Sequence, residues 1–258
     1  MKTLITICSV IVLLGSSYAV AGTWTTIKTP EGYVPELHGI DGSNIVGNYW
    51  DNDDTRHGFL YNMTSGTSTT LDFGGWQTYL FGIDGDNIVG YHWAPDTGLL
   101  YNMTRGSWTN LNFPEAERTE IYGIDRSNIV GNYWDVFGDA HGFLYDMTSR
   151  TWTNLDMPEM YETFVYGIDG SNIVGSYTPW GDMHGFLYDM TSRTWTNLDM
   201  PGMYETFVYG IDGSNIVGWC RGPSDSYGFI YNIPEPATLL LLGLGAITLR
   251  KLRIYGIS

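Results

Sequence analysis

Apolar and polar positions alternate along this chain in runs of five to seven residues, and glycine or a polar turn interrupts each run. The stretch TFVYGID at 163–169 carries β-branched and aromatic residues up to an Asp-Gly-Ser-Asn turn, and NIVG with an aromatic tail leaves that turn. HGFLYDM at 141–147 and TWTNLDM at 151–157 add two more runs with the period of two expected of half-buried strands. Each unit therefore predicts four short antiparallel strands, and nothing in it has the 3.6-residue period of a helix.

The unit recurs. Gly-Ile-Asp begins at Gly39, Gly82, Gly123, Gly167 and Gly210, spacings of 43, 41, 44 and 43 residues, and each copy leads into Asn-Ile-Val-Gly. Residues 141–177 match 184–220 at all but three of 37 positions. A four-stranded unit near 43 residues predicts an all-β fold, a five-bladed β-propeller over residues 22–232; a solenoid has shorter rungs. The fifth unit lacks its TWTNL run, while TWTTI stands alone at 23–27, so the N-terminal strand is expected to complete the fifth blade and close the ring.

Composition suits that fold: 33 glycines and 15% aromatic residues fit tight turns between aromatic strands. The ends differ from the body. Residues 1–21, with Lys2, an apolar run from Leu4 to Leu14 and Ala19-Val20-Ala21, have the layout of a secretory signal peptide. Residues 22–233 carry 27 acids against 8 bases, which argues against nucleic acid and anionic membrane as partners. Cys220 is the single cysteine of the body and is expected to be a small core residue.

The C-terminus, residues 233–258, carries Pro234-Glu235-Pro236, a mostly apolar run from Ala237 to Leu249, and the basic cluster Arg250, Lys251 and Arg253. This order resembles a PEP-CTERM protein-sorting signal, which implies export and recognition by an exosortase-type membrane enzyme, then residence at the cell surface or in an extracellular matrix. Thirteen helical residues rise about 20 Å against a hydrocarbon core of ~30 Å, so this short hydrophobic helix is expected to make a transient membrane contact. The basic cluster would hold the extreme C-terminus on the cytoplasmic side.

His-Gly-Phe-Leu-Tyr, Thr-Asn-Leu, Gly-Ile-Asp and Ile-Val-Gly, in that order, resemble the HAF-type extracellular repeat over the whole body. YDMTSRTWTNLDMP also resembles the kelch repeat, without the Gly-Gly doublet that kelch blades carry. Both resemblances imply a propeller used for binding or scaffolding, and neither brings a catalytic residue.

Candidate chemistry is sparse. His57, His141 and His184 recur at one blade position and are expected to make structural hydrogen bonds. Asp41, Asp84, Asp125, Asp169 and Asp212 occur in every unit, so they are read as acceptors of turn N–H groups, with a repeated calcium site as the alternative. The acidic run Asp51 to Asp54 reads as a solvated loop, and the Asn-Met-Thr triplets at Asn62 and Asn102 as coincidental glycosylation matches. Singular acids such as Glu115, Glu117, Asp139, Asp182 and Asp225 fall in variable loops, and no catalytic or metal-ligand set is assigned. Trp50, Trp134, Trp180 and Trp219 follow Ile-Val-Gly near the loop entrances and are the candidate glycan-binding residues, since aromatic rings stack on sugar faces. The expectation is a secreted, non-enzymatic propeller binding glycan or exopolysaccharide; a glycan-active propeller enzyme and a purely structural surface protein are the alternatives.

Overall fold

The computed structural model describes residues 25–75, 77–94 and 96–234, and all regular structure among them is strand. The expected signal peptide, and the tail from Glu235 onward with Pro236, Arg250, Lys251 and Arg253, lie outside the described residues. So does the segment expected to touch the membrane; no helix of the described residues is long and apolar enough to cross one.

Five antiparallel sheets surround a common channel. Their inner strands are β1 (Pro35–Asp41), β5 (Thr78–Asp84), β9 (Arg118–Asp125), β13 (Glu162–Asp169) and β17 (Glu205–Asp212). The second strands are β2 (Asn44–Trp50), β6 (Asn87–His92), β10 (Asn128–Trp134), β14 (Asn172–Thr178) and β18 (Asn215–Arg221). The third are β3 (Arg56–Asn62), β7 (Thr97–Asn102), β11 (Ala140–Asp146), β15 (His184–Asp189) and β19 (Ser226–Asn232). Outer strands β4 (Thr67–Thr70), β8 (Ser107–Asn110), β12 (Thr151–Asn154) and β16 (Thr194–Asn197) complete four blades, and the fifth has three strands.

Close backbone approach explains the glycine of Ile-Val-Gly. A Cβ at Gly47, Gly90 or Gly131 would stand 2.0, 1.8 or 2.1 Å from the carbonyl oxygen of Glu36, Tyr79 or Glu120 on the inner strand. Only glycine fits.

The blades hold one another at their seams. Val46, Val89, Val130 and Val174 are fully buried, as are Leu80, Ile121, Val165 and Val208 on the inner strand of the following blade. The glycine of each His-Gly-Phe motif admits those side chains: a Cβ at Gly58 would meet Leu80 Cδ1 at 2.7 Å, and one at Gly142 would meet Val165 Cγ2 at 2.5 Å. Four aspartates seal the same seams. The N–H groups of Gly85, Arg126, Gly170 and Gly213 donate to Asp41, Asp84, Asp125 and Asp169 at 2.8, 3.0, 3.1 and 2.6 Å. The aspartates therefore do accept turn N–H groups, but the turn belongs to the next blade.

The fifth seam is open. Val217 is 45% exposed and Leu37 and Ile40 opposite it 50% and 64%, and Asp212 makes no bond to the turn of blade one. The expected closing strand is not formed within the described residues: Thr25–Ile27 carries no strand, and Thr23 and Trp24 lie outside them. Blade one holds this segment instead. Ile27 and Tyr33 pack on Ile45, Tyr49, Phe59 and Tyr61, and Ser68 Oγ donates to the Lys28 carbonyl at 2.5 Å.

Equal residues in unequal seams predict unequal costs. Val46→Ala, Val130→Ala and Val174→Ala should each lose roughly 2 kcal/mol of stability in urea melts, from two buried carbons and the cavity they leave. Val217→Ala should stay within about 0.5 kcal/mol of the parent; an equal loss there would mean a sealed fifth seam.

Candidate functional site

A bulge in every blade decides what faces the channel. Between Leu37 and Gly39, Leu80 and Gly82, Ile121 and Gly123, Val165 and Gly167, and Val208 and Gly210, the inner strand carries one residue more than its partner. The extra residues are His38, Phe81, Tyr122, Tyr166 and Tyr209, and all five line the channel. A bulge re-aims a side chain out of the regular alternation. Successive rings lie 4.9, 5.0, 5.3 and 5.6 Å apart between centroids, so they form an aromatic belt. An isoleucine from each Gly-Ile-Asp lines the cavity of about 490 Å³ beside the belt.

At the mouth formed by the ends of the second strands, two constellations repeat. The Arg56 guanidinium lies 4.9 Å from the centroids of both Trp50 and Tyr79 and pairs with Glu36. The Arg118 guanidinium lies between Trp93 (5.5 Å) and Trp134 (4.3 Å) and pairs with Glu120. Glu120 is only 2% exposed and also accepts a hydrogen bond from the Tyr122 hydroxyl. Burial, reinforced by that carboxylate, pushes the Tyr122 phenol far above its ordinary range. Glu36 and Glu120 are singular inner-strand acids absent from the recurring motifs; their signal in the sequence is a departure from the Tyr or Phe that other units carry two places before the bulge.

Blade four adds a groove of about 650 Å³, lined among others by Tyr161, Glu162, Phe164, Thr178, Trp180 and Phe207. Trp180 is 83% exposed and stacks on Tyr161 with centroids 4.5 Å apart and planes 22° from parallel. The Tyr161 hydroxyl donates to Asp139 at 2.7 Å, and Gly181 N–H to Thr178 Oγ1 at 3.0 Å, which fix both sides of this platform. The four tryptophans singled out from the sequence thus differ. Trp50 is exposed and Trp134 half-buried under Arg118, while Trp180 is the open platform. Trp219 stands two register places earlier than Trp50, where blade one has Asn48, and packs half-buried against Phe207 at 5.0 Å. Trp93 belongs to the rim with Trp50 and Trp134.

The recurring histidines make structural bonds. His57 Nδ1 lies 2.7 Å from Asp72, His141 Nδ1 2.9 Å from Asp156, and His184 Nδ1 2.9 Å from Asp199, and each imidazole stacks on a tyrosine. Asp51 turns the acidic loop on itself, accepting the Asp53 and Thr55 N–H groups and meeting His57 Nε2 at 3.1 Å. Cys220 is fully buried, with its thiol on Met200 and the Tyr227 carbonyl. Among the described residues, no three His, Cys, Asp or Glu side chains converge as a metal site would require.

Residues 232–253 match the PEP-CTERM protein-sorting motif. This motif indicates an exported protein that is anchored at the membrane and then processed, and it is of the kind that an exosortase recognises. No curated protein matches it. Among solved structures, it is similar to a putative TolB from Agrobacterium tumefaciens, at 15% identity over 81% of this chain and 78% of that one, TM-score 0.54. It is also similar to the propeller domain of the Trilobed protease from Pyrococcus furiosus, described as having an open velcro topology, at 10% identity over 77% and 67%, TM-score 0.52. An acylaminoacyl peptidase from Pyrococcus horikoshii aligns at 10% identity over 78% of this chain and 38% of its own, TM-score 0.51. At such identities the likeness shows the propeller fold alone.

His57 gives a pH test. Burial opposes its charge, but hydrogen bonds and the fields of Asp72 and Asp51 outweigh burial and leave its pKa above the ordinary histidine value of about 6.5. A raised folded pKa stabilises fully below the unfolded value and is lost as pH rises through the folded one. The stability margin of the parent over His57→Gln should therefore be largest in acid and shrink as pH rises past neutrality in urea melts. A margin that grows with pH would contradict the assignment.

Proposed function

We propose that this protein is a non-enzymatic, glycan-binding propeller of the cell surface or extracellular polysaccharide matrix, delivered by its signal peptide and exosortase-processed tail, with repeats of the HAF type. The observation that carries the reading is the Trp180–Tyr161 platform: an apolar ring kept in water, held flat by a stacked and hydrogen-bonded tyrosine above a groove. Such a ring needs a partner to justify its exposure, and sugar faces stack on aromatic rings. Trp50, Trp93 and Trp134 extend the aromatic rim over three blades, so one polymer engages several weak sites and gains avidity.

Hydrolysis by the same fold would call for two carboxylates free to act across a glycosidic bond. The singular inner-strand acids Glu36 and Glu120 are instead each engaged by an arginine, which supports binding over chemistry. The acidic body favours neutral or cationic glycans over uronate-rich ones.

Trp180→Ala and Tyr161→Ala should each weaken binding to a responding polysaccharide on a glycan array roughly tenfold while stability moves by about 0.5 kcal/mol or less. Phe186→Ala, a core change, should instead cost about 3–5 kcal/mol. Failure of every glycan to bind the parent would remove the reading. For sorting, alanines at Pro234-Glu235-Pro236 should leave the melting curve unchanged and block processing in cell fractionation; normal processing of that variant would contradict the role given to the triplet.

A further inference from the structure

We infer that the central channel is a binding site for an organic cation of the quaternary-ammonium type, distinct from the glycan platform on blade four. The belt of His38, Phe81, Tyr122, Tyr166 and Tyr209 exists because each inner strand spends a bulge on it. Four of the five bulge residues are Phe or Tyr, a choice that strand pairing does not demand, since the bulged residue has no partner across the sheet. Neighbouring ring centroids lie 4.9–5.6 Å apart at four of the five junctions, the fifth lying across the open seam between Tyr209 and His38, so a cation seated against this arc of rings comes within the ~6 Å over which ring quadrupoles attract positive charge.

An independent feature lies on the other side of the isoleucines. Asp41, Asp84, Asp125, Asp169 and Asp212 ring the opposite mouth, one from each blade. Four of them accept a single inter-blade N–H bond, which leaves their negative charge in place. Arg126 is the basic side chain at this collar, 4.0 Å from Asp125 and 81% exposed. The collar concentrates cations at the entrance to the aromatic belt.

The lining also selects the kind of cation. It is made of aromatic rings, isoleucines and glycines, and its one imidazole, His38, is held below its ordinary pKa by burial and so is neutral at pH 7. The lining itself holds no carboxylate, Glu36 and Glu120 beside it being engaged by arginines and the Asp collar lying beyond the isoleucines, so a primary ammonium would lose water there without a charged acceptor in contact, whereas a trimethylammonium group donates no hydrogen bonds and leaves none unmade. The isoleucines pack against its methyl groups, and the cavity of about 490 Å³ has room for a choline-sized ligand.

The test compares choline with 3,3-dimethylbutan-1-ol, its uncharged isostere, by calorimetric titration of the full exported chain. Choline should bind, and the isostere should bind about tenfold more weakly or not at all. Tyr209→Leu, at a half-exposed ring that blade packing does not need, should weaken choline at least fivefold, and Phe81→Tyr should keep it. Trp180→Ala should leave choline affinity unchanged, so failure of the glycan reading is distinguishable from failure of this one. Equal affinity for the isostere, binding indifferent to Tyr209→Leu, or no binding of choline at millimolar concentration would each overturn the inference.

Discussion

One contact, the seam between neighbouring blades, carries the rest of this molecule. A valine from the second strand of one blade and an inner-strand aliphatic residue from the next are buried together, with an aspartate clasp beside them. Two glycines make the contact feasible. One lets the second strand lie against the inner carbonyl, and the other lets the neighbouring blade's side chain come down on the third strand. Each blade is thin and would expose both faces alone, so stability comes from stacking, as in repeat proteins generally. Once the seams fix the blades, positions at the channel and at the rim are free of structural duty. The channel position varies from His38 to Phe81 to Tyr122, Tyr166 and Tyr209, and the rim loops vary in sequence and length.

Much of this was legible in the sequence because periodicity is a direct consequence of the seams. Gly-Ile-Asp, Ile-Val-Gly and His-Gly-Phe are the seam residues themselves, so counting them gave blade number, strand order and the structural role of the histidines. The aspartates were read as turn acceptors, which is right in chemistry. Their partners lie one repeat away, and no local pattern reports that. The closing strand was a counting argument too. Its described part, residues 25–27, carries no strand, and Ile27 and Tyr33 pack on an apolar cluster of blade one.

The candidate sites were less legible, and the cause is geometric. A bulge turns the residue before Gly-Ile-Asp into the channel, yet a period of two would treat it as an ordinary strand position. Trp180 was visible as a loop aromatic, but its stacking on Tyr161 depends on two loops meeting across the end of blade four. Trp219 looked like a rim residue by composition and sits at the open seam by register. Glu36 and Glu120 stand where the other units carry Tyr79, Phe164 and Phe207, and a pattern defined by recurring residues does not report a substitution at one of its aromatic places.

On the function proposed above, the rim of blade four, presented by a seam-locked scaffold, would be where the protein meets a polysaccharide. Hydrogen–deuterium exchange of the folded body, with and without a polysaccharide it binds, tests this most directly. Protection is expected at the segments holding Tyr161–Phe164 and Thr178–Met183, with no change at the Asp-turn mouth. Protection confined to the Asp-turn mouth or spread evenly over all five blades would contradict it.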